Sequence, residues 1–317
     1  MLKFDRLKLV TSAKYITNFN PSHFLKIPLK QAEHYYKYHQ ETPFYLCIMV
    51  NPRKQKATIE FSGKVLRDSY PNLISSETIH QCFENICKLE ICKLDIDAIL
   101  CDSDVCLCDV TTDFTCNPYG MADIKSHLKA SIVNYDKWLM RKCQNNGLEI
   151  YNSVTTKKRF KRFIIYDKLK ELKRAENHDF LQCLNDQNTL LNQFVGKIRF
   201  EFNLRNKEQI RKYLHISNTA LATVLNSTAN PLLEIFDEAI KETSSDRSVV
   251  VSKSYNQAEK IALLEQCNYD FQAVEMRLRE ITPKNTSIRR KMESYKKLLQ
   301  GIQDSKSNMM NIRNLIA

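Results

Sequence analysis

The segment CDVTTDF (residues 108–114) has the composition of a β-strand, yet it carries two carboxylates four residues apart. Side chains alternate between the two faces of a strand, so Asp109, Thr111 and Asp113 share one face, opposite Cys108. Aspartate is a poor strand former, and two of them on one strand need an explanation. The segment therefore predicts a strand with one acidic face and one apolar face.

A second segment, KIRFEFNL (197–204), alternates strictly between polar and apolar residues. Arg199, Glu201 and Asn203 share one face, and the isoleucine, phenylalanines and leucine between them form the other. This pattern is typical of a strand that is buried on one side. Like the first segment, it places a carboxylate in the middle of a polar face.

If the two strands are neighbours in a sheet, Asp109, Asp113 and Glu201 converge. Three carboxylates repel one another unless a cation lies between them, and oxygen ligands of this kind suit Mg²⁺ or Mn²⁺. Such an ion on a basic protein favours phosphoryl-transfer chemistry. The alternative is a pair of ordinary solvated strand faces on which Arg199 pairs with a cross-strand acid.

The most basic part of the chain is IYNSVTTKKRFKRFIIYDKLKEL (150–172). Its cations are Lys157, Lys158, Arg159, Lys161, Arg162, Lys168 and Lys170. They alternate with Phe160, Phe163 and Tyr166, and this combination suits phosphate contacts together with stacking on bases. A solvated loop and an edge strand protected by lysines would have the same composition.

The composition of the 317 residues narrows the function classes. A formal net charge of +12 favours an anionic partner, either nucleic acid or an acidic membrane surface. Only 5 glycines occur, and neither a dinucleotide-binding nor a P-loop motif is present. No run of 18 apolar residues predicts a membrane span, and the charged N-terminal residues do not resemble a signal peptide, so we expect a cytoplasmic protein.

The 11 cysteines are odd in number and include no C-x-x-C pair, so neither a disulfide framework nor a zinc site is predicted. We expect small apolar residues in a reduced core, with a thiolate metal site as the alternative.

Periodicity predicts an α+β fold. Strands are predicted at 44–50, 56–62, 104–114, 159–168 and 197–204, and helices at 76–89, 121–143 and 171–194. From about residue 206 the pattern is helical. We therefore predict an α+β domain over 1–215 and an α-helical domain over 216–317, the latter suited to binding DNA or a partner.

Three of these segments, in this order, resemble the replication initiators of plasmids and phages: CDVTTDF, IYNSVTT followed by KRFIIYDKLKEL, and KIRFEFNL. The resemblance is to the gene II/gene X type found on mobile elements of Bacteroides-like bacteria and, more distantly, to the staphylococcal rolling-circle plasmid initiators. It covers roughly residues 44–235. It implies an antiparallel-sheet nuclease core like that of rolling-circle initiators.

The resemblance implies site-specific, metal-dependent nicking of one DNA strand at an origin. In this family a tyrosine attacks the scissile phosphate, stays bound to the 5′ end and frees a 3′-OH. Carried over, Tyr151 is the nucleophile, Lys168 contacts phosphate, and Asp109, Asp113 and Glu201 hold Mg²⁺ or Mn²⁺. The predicted DNA-binding residues are Lys157, Lys158, Arg159, Lys161, Arg162, Tyr166 and Arg199.

The chain departs from the family in several places. Asn152 and Ser153 follow Tyr151 where relatives often have a glycine, and Leu107 stands where they usually carry arginine. The His-hydrophobic-His metal motif is missing. The rival nucleophiles are Tyr119, Tyr135 and Tyr166.

Two other functions remain open from the sequence. One is an origin-binding replication protein that does not cut, and the other is an RNA-binding or structural protein unrelated to replication. A homodimer and contacts with a host helicase or polymerase also remain open. The C-terminal helices could bind duplex DNA through Arg289, Arg290, Lys296 and Lys297.

Overall fold

The structure is a computed structural model. It describes residues 2–18, 20–28, 34–115, 138–142, 147–152, 160–240, 255–267, 271–281, 288, 290–298, 313–314 and 316–317. Predictions that concern Tyr119, Tyr135, Lys157, Lys158, Arg159 and Arg289 lie outside these residues.

The fold is α+β and is built on an antiparallel sheet of ten strands. Along the chain the strands are β1 (Phe4–Ser12), β2 (Ile16–Thr17), β3 (Leu25–Pro28), β4 (His34–Gln40), β5 (Leu46–Asn51), β6 (Lys56–Ser62), β7 (Lys93–Leu94), β8 (Asp104–Thr115), β9 (Trp138–Lys142), β10 (Leu148–Asn152), β11 (Arg162–Asp167) and β12 (Lys197–Leu204). Their order in the sheet is β3-β4-β5-β6-β1-β8-β12-β11-β10-β9, and β2 pairs separately with β7. The strands that carry the two acidic faces, β8 and β12, are direct neighbours at its centre.

The described α-helices are α1 (Ile79–Cys87), α2 (Ile96–Cys101), α3 (Lys168–Leu172), α4 (His178–Gln182), α5 (Gln187–Gln193), α6 (Lys207–Leu214), α7 (Leu221–Leu225), α8 (Pro231–Ala239), α9 (Tyr255–Gln266) and α10 (Phe271–Ile281). The predicted helix at 76–89 is α1, and the five predicted strands are present with ends shifted by a few residues.

Two helix predictions were wrong in the described residues. The helix predicted over 121–143 is a strand at Trp138–Lys142, and its other residues are not described. Pairing with β10 overrides the helical periodicity of this segment, as tertiary contacts often do. The helix predicted over 171–194 is divided into α3, α4 and α5. Asp186 caps a new helix by accepting from the amides of Asn188 and Thr189, both at 3.0 Å.

One face of the sheet forms the core. Cys108, Phe163, Phe200 and Phe202 are at most 1% exposed there. The ring of Phe202 meets that of Tyr213 on α6 edge-on, at 4.8 Å between centroids. Burying each such side chain contributes about 2 kcal/mol, so this face fixes which side of the sheet the intervening polar residues occupy.

The opposite face is covered at one end by a second apolar cluster. Its buried members are Tyr70, Leu73, Leu172, Phe180, Leu190 and Phe194. They come from the 3-10 segment Gly63–Asn72 and its C-cap Leu73, and from the short helices α3 to α5 and the C-cap Phe194 of the last. This cover encloses one end of the polar face described below.

The chain divides into two compact units, Met1–Met121 with Asp136–Phe236, and Ala122–Tyr135 with Asp237–Ala317. The first unit includes α7, whose Leu221 and Leu225 are buried. In the second unit α9 and α10 pack with residues 290–298 around Leu264, Val274, Leu278, Met292 and Tyr295.

Within the described residues, no helix is long and apolar enough to cross a membrane. The nine described cysteines are free thiols. Burial raises the pKa of Cys92 to about 12, as expected for an inert core thiol.

Candidate functional site

The register of β8 and β12 brings the two predicted polar faces together. Asp109 lies opposite Asn203, Thr111 opposite Glu201, and Asp113 opposite Arg199. Directly opposed residues of an antiparallel pair project to the same side, so all of them share one surface, here called the polar face. The side-chain alternation predicted for both segments is confirmed, and the two strands, whose pairing the sequence left as a condition, are neighbours.

A single row of cross-strand partners continues the polar face over the neighbouring strands. Asn203 pairs with Arg162 on β11, and Arg162 pairs with Tyr151 on β10. On the other side, Asp109 pairs with Arg6 on β1. The row therefore runs from Tyr151, the predicted nucleophile, to Asp109, a predicted metal ligand. Their strands are three positions apart in the sheet, so their backbones lie about 14 Å apart at the usual strand spacing.

Arg199 lies at the covered end of the polar face and is completely buried. Its Nε and one Nη each donate to Asp113 at 2.7 Å, and its other Nη donates to Asp5 at 2.9 Å and to Tyr70 at 2.7 Å. Arg199, which the sequence predicts as a DNA contact, is enclosed in the interior. Arg199 instead pairs with a cross-strand acid, the alternative that the sequence left open.

The segment YDKLKE (166–171) forms the same end of the site. The Tyr166 hydroxyl donates to Glu201 at 2.5 Å, and Asp167 caps α3 by accepting from the amide of Lys170 at 2.9 Å. Lys168 is 1% exposed and donates to Glu171 at 2.5 Å. Lys168, the predicted phosphate contact, is thus held by a carboxylate in the interior. Tyr166, predicted to bind DNA, donates to Glu201.

Sequence reasoning missed several partners at the covered end. Lys64 donates to Asn177 at 2.5 Å, and both contact Glu171. Burial would raise the pKa of Glu171, but the charges of Lys168 and Lys64, with hydrogen bonds from Lys168 and Asn177, lower it to about 2. Asp5 reaches Arg199 because the register of β1 against β8 shifts between Phe4 and Arg6, an irregularity that no local pattern signals.

Two carboxylates in the middle of the polar face have raised pKa values. Burial, together with the nearby Asp5 carboxylate, raises the pKa of Glu201 to about 7. Burial raises the pKa of Asp109 to about 6, although Asn203 Nδ2 donates to Asp109 at 2.7 Å. Both groups would therefore gain from a nearby positive charge.

The fit of these residues to a divalent cation is partial. Among the described residues no three His, Cys, Asp or Glu side chains form a group that could hold a metal ion, so the predicted set of Asp109, Asp113 and Glu201 is not assembled as such. Asp113 already accepts two bonds from Arg199. However, Asn203 Oδ1 is buried and makes no hydrogen bond to the described residues, so it adds a neutral oxygen beside Asp109. Asp109, Asn203 and Glu201 fit an ion that keeps several waters, as Mg²⁺ usually does.

The uncovered end of the polar face is basic. Arg6 and Lys8 on β1 both pair with the buried Glu60, and the guanidinium of Arg6 also lies 4.3 Å from the ring centroid of Tyr45. Arg205, just after β12, is exposed, and burial of its stem and the charge of Arg162 lower its pKa. The side chains of Arg6, Lys8 and Arg162 are 36%, 30% and 32% exposed, which leaves them accessible to an anion.

Tyr151 stands at this end and is partly exposed. Its ring lies 6.1 Å from that of Phe160 and 5.3 Å from the guanidinium of Arg141. Lys161, predicted to bind DNA with Arg162, turns toward the rings of Trp138 and Tyr213 instead. Of the basic stretch, Arg162 is therefore the described residue that reaches the polar face beside Tyr151.

The raised pKa values predict a pH dependence of stability. The folded protein binds protons at Glu201 and Asp109 more tightly than the unfolded chain, so their stabilising contribution is complete below about pH 4 and is lost as the pH rises through about 7. Lowering the pH from about 8 to about 5.5 should raise Tm by about 5 °C or more.

Differential scanning fluorimetry of the wild-type protein and of Glu201→Gln tests this. The variant should lose most of the pH effect and should be the more stable protein at about pH 8. Equal pH slopes for the two proteins would contradict the assignment. Glu171, with a pKa of about 2, stays ionised between about pH 5.5 and 8 and therefore does not contribute to the change of Tm with pH.

No protein-family model and no curated protein matches the chain. Among solved structures, the chain is similar to a rolling circle replication initiator protein from Geobacillus stearothermophilus. The two are 11% identical with a TM-score of 0.37, and the match covers 81% of this chain and 91% of the other. A likeness this distant does not support an argument about function. Function is therefore inferred from the residues of the site itself.

Proposed function

We propose that the protein initiates replication of a plasmid or phage by nicking one DNA strand at the origin. The row Tyr151–Arg162–Asn203–Asp109 carries this proposal, because it lines up a nucleophile, a cation, a neutral oxygen and a carboxylate on one face. The motif resemblance of the same segments to replication initiators supports it.

In the proposed reaction the phenolic oxygen of Tyr151 forms a bond to the scissile phosphorus, and the bond from phosphorus to the 3′ oxygen breaks. The phenol loses one proton and the 3′ oxygen gains one, so the exchange needs no oxidant and no further nucleophile. One phosphodiester replaces another, and the strand can therefore be rejoined later.

Asp109 and Glu201, with Asn203 Oδ1, would hold Mg²⁺ or Mn²⁺ together with a DNA phosphate. The ion would offset the negative charge that builds up on the phosphate during the transfer. Asp113 has a different role in this proposal: with Asp5 it fixes Arg199, which limits the movement of the strand that carries Glu201.

The DNA would enter at the uncovered end as a single strand. Arg6, Lys8, Arg162 and Arg205 supply phosphate contacts there, and Tyr45 and Tyr151 offer aromatic rings beside them. A basic surface with interspersed rings is the usual arrangement for single-stranded nucleic acid.

The second candidate is an origin-binding replication protein that does not cut. The engagement of both Asp113 oxygens by Arg199 favours it, because this leaves two carboxylates rather than three for an ion. In that case the arginines of the polar face would bind DNA, and the polar face would not catalyse strand cleavage.

Supercoiled DNA from the protein's own replicon separates the two candidates. The protein is incubated with Mg²⁺, with Mn²⁺ and with chelator, and adducts are mapped by mass spectrometry. A metal-dependent nick with DNA on Tyr151 supports the first candidate. Sequence-specific binding without a nick or an adduct in either metal supports the second.

Metal binding has a readout that does not require DNA. Excess Mn²⁺ at about pH 8 should raise the Tm of the wild-type protein by about 3 °C or more, as expected for a ligand at roughly ten times its Kd. Asp109→Asn removes a carboxylate whose raised pKa already disfavours its charge, so this variant should fold normally and lose the Mn²⁺ effect. If Mn²⁺ raised the Tm of the variant by the same amount, the ion would have to bind at a site that does not include Asp109.

A further inference from the structure

Glu149 on β10 is the feature of the polar face that the nicking proposal leaves unused. It is 2% exposed and lies two residues before Tyr151, so both side chains project to the same side of the sheet. A buried carboxylate without partners would be costly, and its partners therefore indicate its role.

Two arginines from the flanking strands meet at Glu149. Arg141 on β9 is its direct cross-strand partner and donates from Nε at 2.5 Å. Arg162 on β11, the direct partner of Tyr151, approaches the other carboxylate oxygen to within 2.7 Å through its Nε. One carboxylate thus fixes a guanidinium on each side of β10.

The same arginines flank the predicted nucleophile. The guanidinium of Arg141 lies 5.3 Å from the centroid of the Tyr151 ring, and Arg162 is adjacent to Tyr151 in the register. Each guanidinium carries five N–H donors. Arg141 donates from Nε to Glu149, whereas Arg162 forms an ion pair with Glu149 in which its Nε makes no hydrogen bond. The side chains of Arg141 and Arg162 are 63% and 32% exposed.

The charges of this group sum to +1, from two guanidiniums and one carboxylate. A positive group with forked donors at the solvent boundary suits a phosphate, which arginine binds through two parallel hydrogen bonds. Preorganised cations beside the reacting phosphate also stabilise the charge that develops during transfer.

We propose that Glu149 is a positioning residue that holds Arg141 and Arg162 on the two sides of Tyr151, where they bind the phosphate that Tyr151 attacks. This rests on the proposed nicking function. The family resemblance gives no role to this position, and a purely structural role for Glu149 would be cross-strand stabilisation of β9, β10 and β11.

Glu149→Gln separates positioning from stability. The amide keeps the size of the side chain but loses the charge that attracts both guanidiniums. In single-turnover assays on an origin oligonucleotide, adduct formation at saturating protein should slow by about 10- to 100-fold. Affinity, measured in a Tyr151→Phe background, should stay equal or increase because one negative charge is removed from a DNA-binding surface.

Phosphate contact is tested separately, by the salt dependence of binding to single-stranded DNA. Arg141→Gln and Arg162→Gln should each reduce the slope of log K against log salt by about 0.7. Lys212→Gln is the matched control, because Lys212 is an exposed cation on α6, which packs on the opposite face of the sheet.

The outcomes distinguish the two proposals. If the wild-type protein forms the adduct and Glu149→Gln forms it at the same rate, Glu149 is not a positioning residue and the nicking function stands. If slopes are unchanged in both arginine variants, the phosphate site is overturned. If the wild-type protein forms no adduct but both slopes fall, the nicking function fails and phosphate binding by these arginines stands.

Discussion

Tyr151→Phe is expected to lower the rate of adduct formation and nicking by more than about 1,000-fold, because it removes the only oxygen of the proposed nucleophile. Binding of the origin should change little, since the ring beside Arg141 and Phe160 is retained. The measurement is covalent transfer from a labelled oligonucleotide in the presence of Mn²⁺, together with the affinity of each protein for the same oligonucleotide.

Tyr166→Phe is the matched control. Tyr166 lies on the next strand but donates to the buried Glu201, so its variant should still form the adduct, at a rate reduced by the loss of that hydrogen bond. An adduct that persists in Tyr151→Phe would disprove the assignment. Mass spectrometry would then decide between Tyr119, Tyr135 and Tyr166.

Arg199→Met is expected to have the largest effect on stability. It leaves Asp5 and Asp113 without the cation that joins them, and breaking a buried ion pair by removing one partner costs about 3–5 kcal/mol. For a unit of this size the loss corresponds to a fall in Tm of about 10 °C. Thermal or urea unfolding measures it.

The control is Arg205→Met, just after the same strand but exposed, where the change should stay within about 0.5 kcal/mol. A triple variant with Arg199→Met, Asp5→Asn and Asp113→Asn should recover part of the lost stability, because the unpaired charges are then absent. If Arg199→Met and Arg205→Met unfold alike, the buried network does not stabilise the fold.

Much of the site was predictable because its signal is local. The period-2 alternation of KIRFEFNL places Arg199, Glu201 and Asn203 on one face whatever the rest of the fold does. The same holds for Asp109 and Asp113. No local pattern shows that the two strands pair with each other, and the structure establishes this pairing.

The rest depends on contacts that the sequence does not encode locally. Asp5 enters the Arg199 network through a shift of register in β1. Glu149 meets two guanidiniums because β9 carries Arg141 directly opposite it and β11 carries Arg162 opposite Tyr151, two residues along β10. Burial, in turn, decided which cations reach the surface. The sequence alone does not distinguish Lys168 and Arg199 from Arg162, because all three are cations in predicted polar segments. In the structure, helices α3 to α5 and the cluster around Tyr70 enclose Lys168 and Arg199.

The strict alternation of β12 has a consequence for how this sequence can vary. Inserting one residue just before Phe200 would send Phe200 and Phe202 to the polar side and would turn Glu201 into the core. No single substitution repairs such an inversion. Related chains should therefore diverge by replacement inside this strand, and gain or lose length where strands are joined.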